Sequence, residues 1–109
     1  MVVLFGGVGG LDGNQIFGDT WVWDGTAWTD VTTATSPIPR YSPTLAYDEV
    51  RQTTLLYGGC SGEYATAAYA ETWGWDGTTW TLRANAGASP PPRERHALVF
   101  DRRLGQVEA

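Results

Sequence analysis

Few side chains in this sequence are equipped for chemistry. Its 109 residues include one histidine, His96, and one cysteine, Cys60. A lone Cys cannot form an internal disulfide, and a thiolate zinc site needs several Cys or His at short spacing. His96 is the group that would titrate near neutrality. It could line a channel or bond backbone across neighbouring elements. Acid–base catalysis by paired carboxylates needs two acids facing one cleft, and the acids here fall mostly in turns or at strand ends, with no matched pair. Asp12-Gly13-Asn14 begins like a calcium loop but lacks the downstream Glu at the required spacing, so it reads as a turn. Arg40 and Arg93 each follow a Pro. Their planar forks could match an anion, or each could pin its own loop to backbone carbonyls. Phe17, Tyr64 and Tyr69 could offer flat apolar contact to a ligand, or cover sheet edges.

The elements that must position these groups are spelled twice. "TWVWDGTAWT" runs from Thr20 to Thr29, and "TWGWDGTTWT" from Thr72 to Thr81. At an offset of 52, Leu4 falls on Leu56, Gly6-Gly7 on Gly58-Gly59, and Asp19 on Glu71. Trp21, Trp23 and Trp28 fall on Trp73, Trp75 and Trp80. After one extra residue the register continues at 53, with Pro39-Arg40 on Pro92-Arg93 and Asp48 on Asp101. A period near this length marks a propeller or solenoid. The copies span about 2–52 and 54–105, with a separate strand piece at 95–101.

Each copy reads as strands. "VVLF" and "TLLY" are apolar runs that Gly-Gly is expected to end. The paired Trp at i and i+2 share one strand face. Asp24-Gly25 and Asp76-Gly77 are hairpin signals. A two-residue loop there would set Trp21 opposite Trp28 and Trp73 opposite Trp80. Such aromatic pairs add roughly 0.5–1.5 kcal/mol beyond burial. "SPTLAY" and "RHALVF" supply one further strand each. No helix is expected; "EYATAAYAET" has neither an apolar stripe nor caps. The six tryptophans are expected to be the faces on which one sheet packs against the next, because a single four-stranded sheet cannot bury both faces alone.

Composition narrows the field. The hydrophobic share of 42% suits a packed core. A net charge of -5, with no Lys, argues against a nucleic-acid or anionic-membrane surface. No apolar run is long enough to span a bilayer, and "MVVLFGG" lacks the basic segment and cleavage site of a signal peptide. Low charge with abundant Gly, Thr and Trp suits a secreted or cell-surface protein. No cofactor or metal is indicated.

The order of apolar strand, Gly-Gly, variable loop, aromatic strand, turn, Trp, Pro-rich link, Arg and apolar strand resembles the kelch repeat of the kelch and galactose-oxidase-like β-propellers. Gly6-Gly7 and Gly58-Gly59, Trp23 and Trp75, Trp28 and Trp80, and Arg40 and Arg93 carry the likeness. His96 follows Arg93 as it often does in that family, where the first copy has Pro43. The resemblance implies an all-β fold of two four-stranded antiparallel blades, forming a partial ring or a ring completed by oligomerisation. In the family's strand order the chain would supply strands two to four of one blade, then a full blade, then a lone first strand. Either "LGQVEA" stops where a second "VVLFGG" should begin, making this a piece of a longer protein, or the last strand of one copy completes the three-stranded blade of the next. Intramolecular closure of two blades would be strained.

Function is less constrained. The expectation is a non-catalytic scaffold that holds a protein or carbohydrate on residues 8–18 and 60–70, equal in length but unlike in sequence, and on the links 32–40 and 84–93. Varying loops on a fixed frame are where binding surfaces usually sit. Two alternatives stand beside it: a fragment of a galactose-oxidase-like or other propeller enzyme, and a purely architectural repeat of a large surface protein. The family's copper site needs two His and a Tyr–Cys crosslink, which one His96 and one Cys60 cannot complete. Asp24 and Asp76 look like the Asp box of sialidase propellers, but Trp28 and Trp80 lie four residues on rather than five, so turn formation explains both.

Overall fold

A computed structural model of the chain describes residues 2–9, 15–61, 67–68, 70–84, 99–101 and 103–108. The described residues are all-β, with eleven strands and no helix. The first sheet, ordered β1-β2-β3, comprises β1 (Val2–Gly9), β2 (Gln15–Trp23) and β3 (Trp28–Asp30). The second, ordered β4-β5-β8-β9, comprises β4 (Thr44–Asp48), β5 (Thr53–Tyr57), β8 (Thr72–Trp75) and β9 (Trp80–Ala84). Two short hairpins complete the set: β6 (Cys60–Ser61) with β7 (Ala67–Ala68), and β10 (Val99–Asp101) with β11 (Gln106–Glu108). Every ladder is antiparallel. The described sheets form no closed barrel; the architecture is that of a partial β-propeller.

The two copies build the same local structure. Trp23 pairs with Trp28, and Trp75 with Trp80, in ladders of equal register. This corrects the expected Trp21–Trp28 and Trp73–Trp80 pairs. The cause is the aspartate. Asp24 Oδ1 accepts the backbone N–H groups of Thr26 and Ala27 at 2.7 and 2.9 Å. Asp76 Oδ1 does the same for Thr78 and Thr79 at 2.8 and 2.9 Å. Each carboxylate closes a four-residue loop, so only the glycine, at φ 101° in Gly25 and 103° in Gly77, enters the left-handed region. A tighter primed turn would need both central residues there.

The double glycines also differ from expectation. β1 does not end at Gly6-Gly7 but runs on to Gly9, through an irregularity in its pairing with β2 between Phe5 and Gly7. β5 does end before Gly58-Gly59, and β6 resumes beyond them. All four glycines have positive φ, which a side chain rarely adopts.

The sheets pack face to face. Phe5 of β1 and Leu56, Trp75 and Trp80 of the second sheet form the buried cluster, with Val3, Val31, Leu45 and Trp73 against it. Trp80 meets Phe5 edge-on at 5.4 Å between ring centroids, and its indole N–H donates to Thr20 Oγ1 at 2.8 Å inside the interface. Trp28, which matches Trp80 in the repeat, is 46% exposed. The tryptophans therefore do not all bury alike: no described sheet lies on the outer face of the first one.

β10 and β11 repeat the relation of β4 to β5. Asp101 pairs with Gln106 as Asp48 pairs with Thr53, across loops of equal length. Gln52 and Gly105, at the same loop position, share a left-handed φ of 53° and 65°. The Arg51 guanidinium bonds both Asp48 Oδ2 at 2.8 Å and the Gly105 carbonyl at 2.9 Å, tying the second sheet to this hairpin. The lone final strand of the sequence reading is thus the first of a pair.

Candidate functional site

Arg40 belongs to the link between the first two sheets, and its backbone is held by the first. Its N–H donates to the Phe17 carbonyl at 3.2 Å, and its carbonyl accepts the Gly7 N–H at 2.8 Å. Its side chain is fully buried and reaches the second sheet. Nε donates to the Ile38 carbonyl at 3.0 Å, Nη1 to the Gly58 carbonyl at 3.1 Å, and Nη2 to Glu71 Oε1 at 3.1 Å. Glu71 also accepts the Trp73 indole N–H at 3.2 Å. A cation with no exposed surface cannot grip an anion from solvent, so this placement makes Arg40 a clasp between sheets.

The double glycines explain how the clasp fits. A Cβ on Gly6 would lie 2.5 Å from the Arg40 carbonyl oxygen, and one on Gly59 3.1 Å from Arg40 Cδ. The Pro-Arg and Gly-Gly motifs are therefore parts of one joint. The sequence carried both signals, repeated in step, but the reach of the Arg40 side chain to Gly58-Gly59 crosses from one copy to the other and is invisible to an alignment of one copy on the other.

Phe17 is half-buried on β2, with its ring over Gly9, where an added Cβ would sit 3.1 Å from Cε2. Tyr64, Tyr69, Arg93 and His96 lie outside the described residues. Cys60 is buried and makes no disulfide. Its backbone exchanges hydrogen bonds with Tyr41 at 2.8 and 2.9 Å, extending the joint next to Arg40.

The described acids are tied to structure. The Asp24 carboxyl is held below the ordinary aspartate value near 3.8 by the N–H groups of Ala27 and Thr26, and Asp76 likewise by those of Thr79 and Thr78. The Thr32 hydroxyl and N–H lower Asp30. Burial pushes Asp48 upward, but the Arg51 N–H and guanidinium, with the Val50 N–H, outweigh it and leave the net shift downward. Ionised carboxylates of this kind suit turn closure rather than proton transfer at neutral pH. No group of three or more His, Cys, Asp or Glu among the described residues could hold a metal. None of the described helices, there being none, is long and apolar enough to cross a membrane.

An open cleft lies between the sheets, away from the loops singled out by sequence. It has a volume of about 490 Å³ and is lined by Val3, Tyr47, Gln52, Thr54, Trp75, Asp76 and Gly77. A smaller hollow of about 180 Å³ shares Val3, Tyr47 and Thr54 and adds Leu45 and Ala46. The Trp75 indole N–H, in a side chain only 2% exposed, has no hydrogen-bond partner among the described residues. Sequence reasoning did not find this cleft, because its walls come from residues of both copies. No protein-family model matches the chain, and no curated protein is significantly similar to it.

Proposed function

We propose that the chain is a non-catalytic kelch-like β-propeller module that serves as a scaffold for binding a protein or a carbohydrate. The observation that carries this reading is the use of its reactive side chains. Arg40, Glu71, Asp24, Asp48 and Asp76 are engaged in joints and turns of the frame, and the Asp24 and Asp76 turns recur in both copies. Variation is concentrated in residues 8–18 and 60–70, and variable loops on a rigid frame are the usual place for recognition.

The test is a titration of the whole chain with neutral oligosaccharides and with extended peptides, followed by tryptophan fluorescence and NMR. A scaffold binds one of these classes, and replacing residues 62–66 with Gly and Ser abolishes binding while the fold survives. Equal binding by that variant, no binding by any probe, or turnover lost on His96→Ala would overturn the reading.

A further inference from the structure

In the second sheet, Trp73 and Trp80 donate their indole N–H groups to Glu71 and Thr20. Trp75 differs. It is 2% exposed, and its N–H has no hydrogen-bond partner among the described residues. A buried donor without an acceptor is costly, so its persistence calls for a reason. Trp75 lines the cleft of about 490 Å³ together with Tyr47, Gln52, Thr54, Asp76 and Gly77, all from the same sheet and its turns. We infer that this cleft binds a neutral sugar ring, one of whose oxygens accepts the Trp75 N–H.

Strand pairing builds the wall of the site. Tyr47 stands opposite Thr54, and Thr54 opposite Trp75, so the three share one face of β4, β5 and β8. Tyr47 is 52% exposed, and its ring offers a flat apolar surface to the C–H face of a pyranose. Asp76 bounds the row at the turn after β8. Its Oδ1 accepts the Thr78 and Thr79 N–H groups, which leaves Oδ2 to accept a hydroxyl. The N–H groups of Thr79 and Thr78, with Arg83 adding to them, hold this carboxyl below its ordinary value, so it is charged at neutral pH. Gln52 brings an amide that both donates and accepts.

These groups select a ligand by sign. An anion would satisfy the indole N–H but would face the Asp76 charge. A cation would suit Asp76 and leave the indole donor empty. A hydroxyl donates and accepts, so a polyhydroxylated neutral ring serves Trp75, Asp76 and the Tyr47 face together. A few polar groups set in an apolar wall are the ordinary make-up of a small-molecule site, and the volume falls within the usual range of about 300–1,000 Å³. The cleft lies at the Thr54 end of β5, whereas residues 60–70 follow its Tyr57 end. It is a second site, and the inference does not rest on what those loops hold.

The experiment titrates the whole, isotopically labelled chain with the methyl glycosides of glucose, galactose and mannose, and with methyl glucuronate glycoside as the anionic counterpart. NMR reads the indole N–H resonances. At least one neutral glycoside should shift the Trp75 N–H, with a dissociation constant on the order of 1 mM. The uronate should bind about tenfold more weakly. Tyr47→Ala, at an exposed position, should weaken the neutral glycoside about tenfold while the chain melts as the parent does. Asp76→Asn keeps the Oδ1 that closes the turn and should admit the uronate as readily as the neutral sugar. Replacing residues 62–66 with Gly and Ser should leave the Trp75 response intact. A Trp75 N–H unmoved by every neutral glycoside at about fifty times that concentration, equal binding of the uronate by the parent, undiminished binding by Tyr47→Ala, or a response lost with residues 62–66 would overturn the proposal.

Discussion

The two sheets carry nearly the same residues and differ in what lies beside them. Leu4 and Leu56 occupy matching positions on matching strands, yet one is 43% exposed and the other fully buried. Trp23–Trp28 and Trp75–Trp80 form the same tilted ring pair, each at 5.5 Å. The local sequence thus dictates the hairpin, its register and its aromatic pair, while the neighbouring sheet decides how much of that apolar surface leaves water. A repeat of this kind is stabilised by its interfaces as much as by its units.

The same substitution made in both sheets should therefore give unequal results. Trp80→Ala empties the interface and strands Thr20, and should cost about 3–5 kcal/mol. Trp28→Ala removes a half-exposed ring and should cost about 0.5–1.5 kcal/mol. Urea unfolding of the monomer measures both, and equal losses would break the comparison. Since small domains have only about 5–15 kcal/mol to lose, the Trp80 variant should approach unfolding at ambient temperature.

Next in size is the joint. Arg40→Ala leaves the Gly58 carbonyl without this donor and the half-buried Glu71 without its cation, and losing such charge-assisted hydrogen bonds costs about 1.5–3 kcal/mol. Arg40→Lys should recover little, because one ammonium cannot reach Ile38, Gly58 and Glu71 together. Recovery of parent stability by Lys would show the fork to be dispensable.

The glycine pair refines this further. Gly6→Ala sets a Cβ against the Arg40 carbonyl in a left-handed backbone, with an expected cost of about 2–3 kcal/mol. At Gly25, also left-handed, an added Cβ meets nothing within 4 Å, so Gly25→Ala carries only the backbone strain of about 1 kcal/mol. Thermal melts of the two variants should separate them in that order.

The smallest effect is the response to acid. Asp24, Asp30, Asp48 and Asp76 all titrate below the ordinary value near 3.8 in the folded chain. The folded state therefore binds protons less readily than the unfolded one. The stability this confers is present above 3.8 and is lost as pH falls through the lower folded values. Melting temperature should be flat near neutrality and drop below about pH 4. Asp48→Asn should blunt the drop more than Asp24→Asn, since only Asp48 is buried and paired with an arginine.

Much of the fold was legible from residue types. The repeat, the all-β character and the three-then-four order of strands follow from spaced Trp, Asp-Gly and Gly-Gly. The Trp register was misplaced because Asp-Gly signals a hairpin without fixing loop length. That length is set by the aspartate side chain reaching two backbone N–H groups. The Gly-Gly pair read as a stop, while in β1 the strand passes through it to admit the Arg40 link. Arg40 as a clasp and the cleft beside Trp75 were hidden for one reason: both are made between copies, where a sequence supplies no spacing to read. Tyr64, Tyr69, Arg93 and His96 fall outside the described residues, so the loop reading rests on composition.

That successive copies stack face to face is decided by the surroundings of one indole. Nuclear Overhauser spectra of a labelled chain should show the Trp80 ring in contact with Phe5 and Thr20, and its N–H protected from exchange, while the Trp28 N–H of the monomer exchanges freely. A Trp80 N–H that exchanges as fast as that of Trp28, with no cross-peak to either residue of the first sheet, would contradict the stacking.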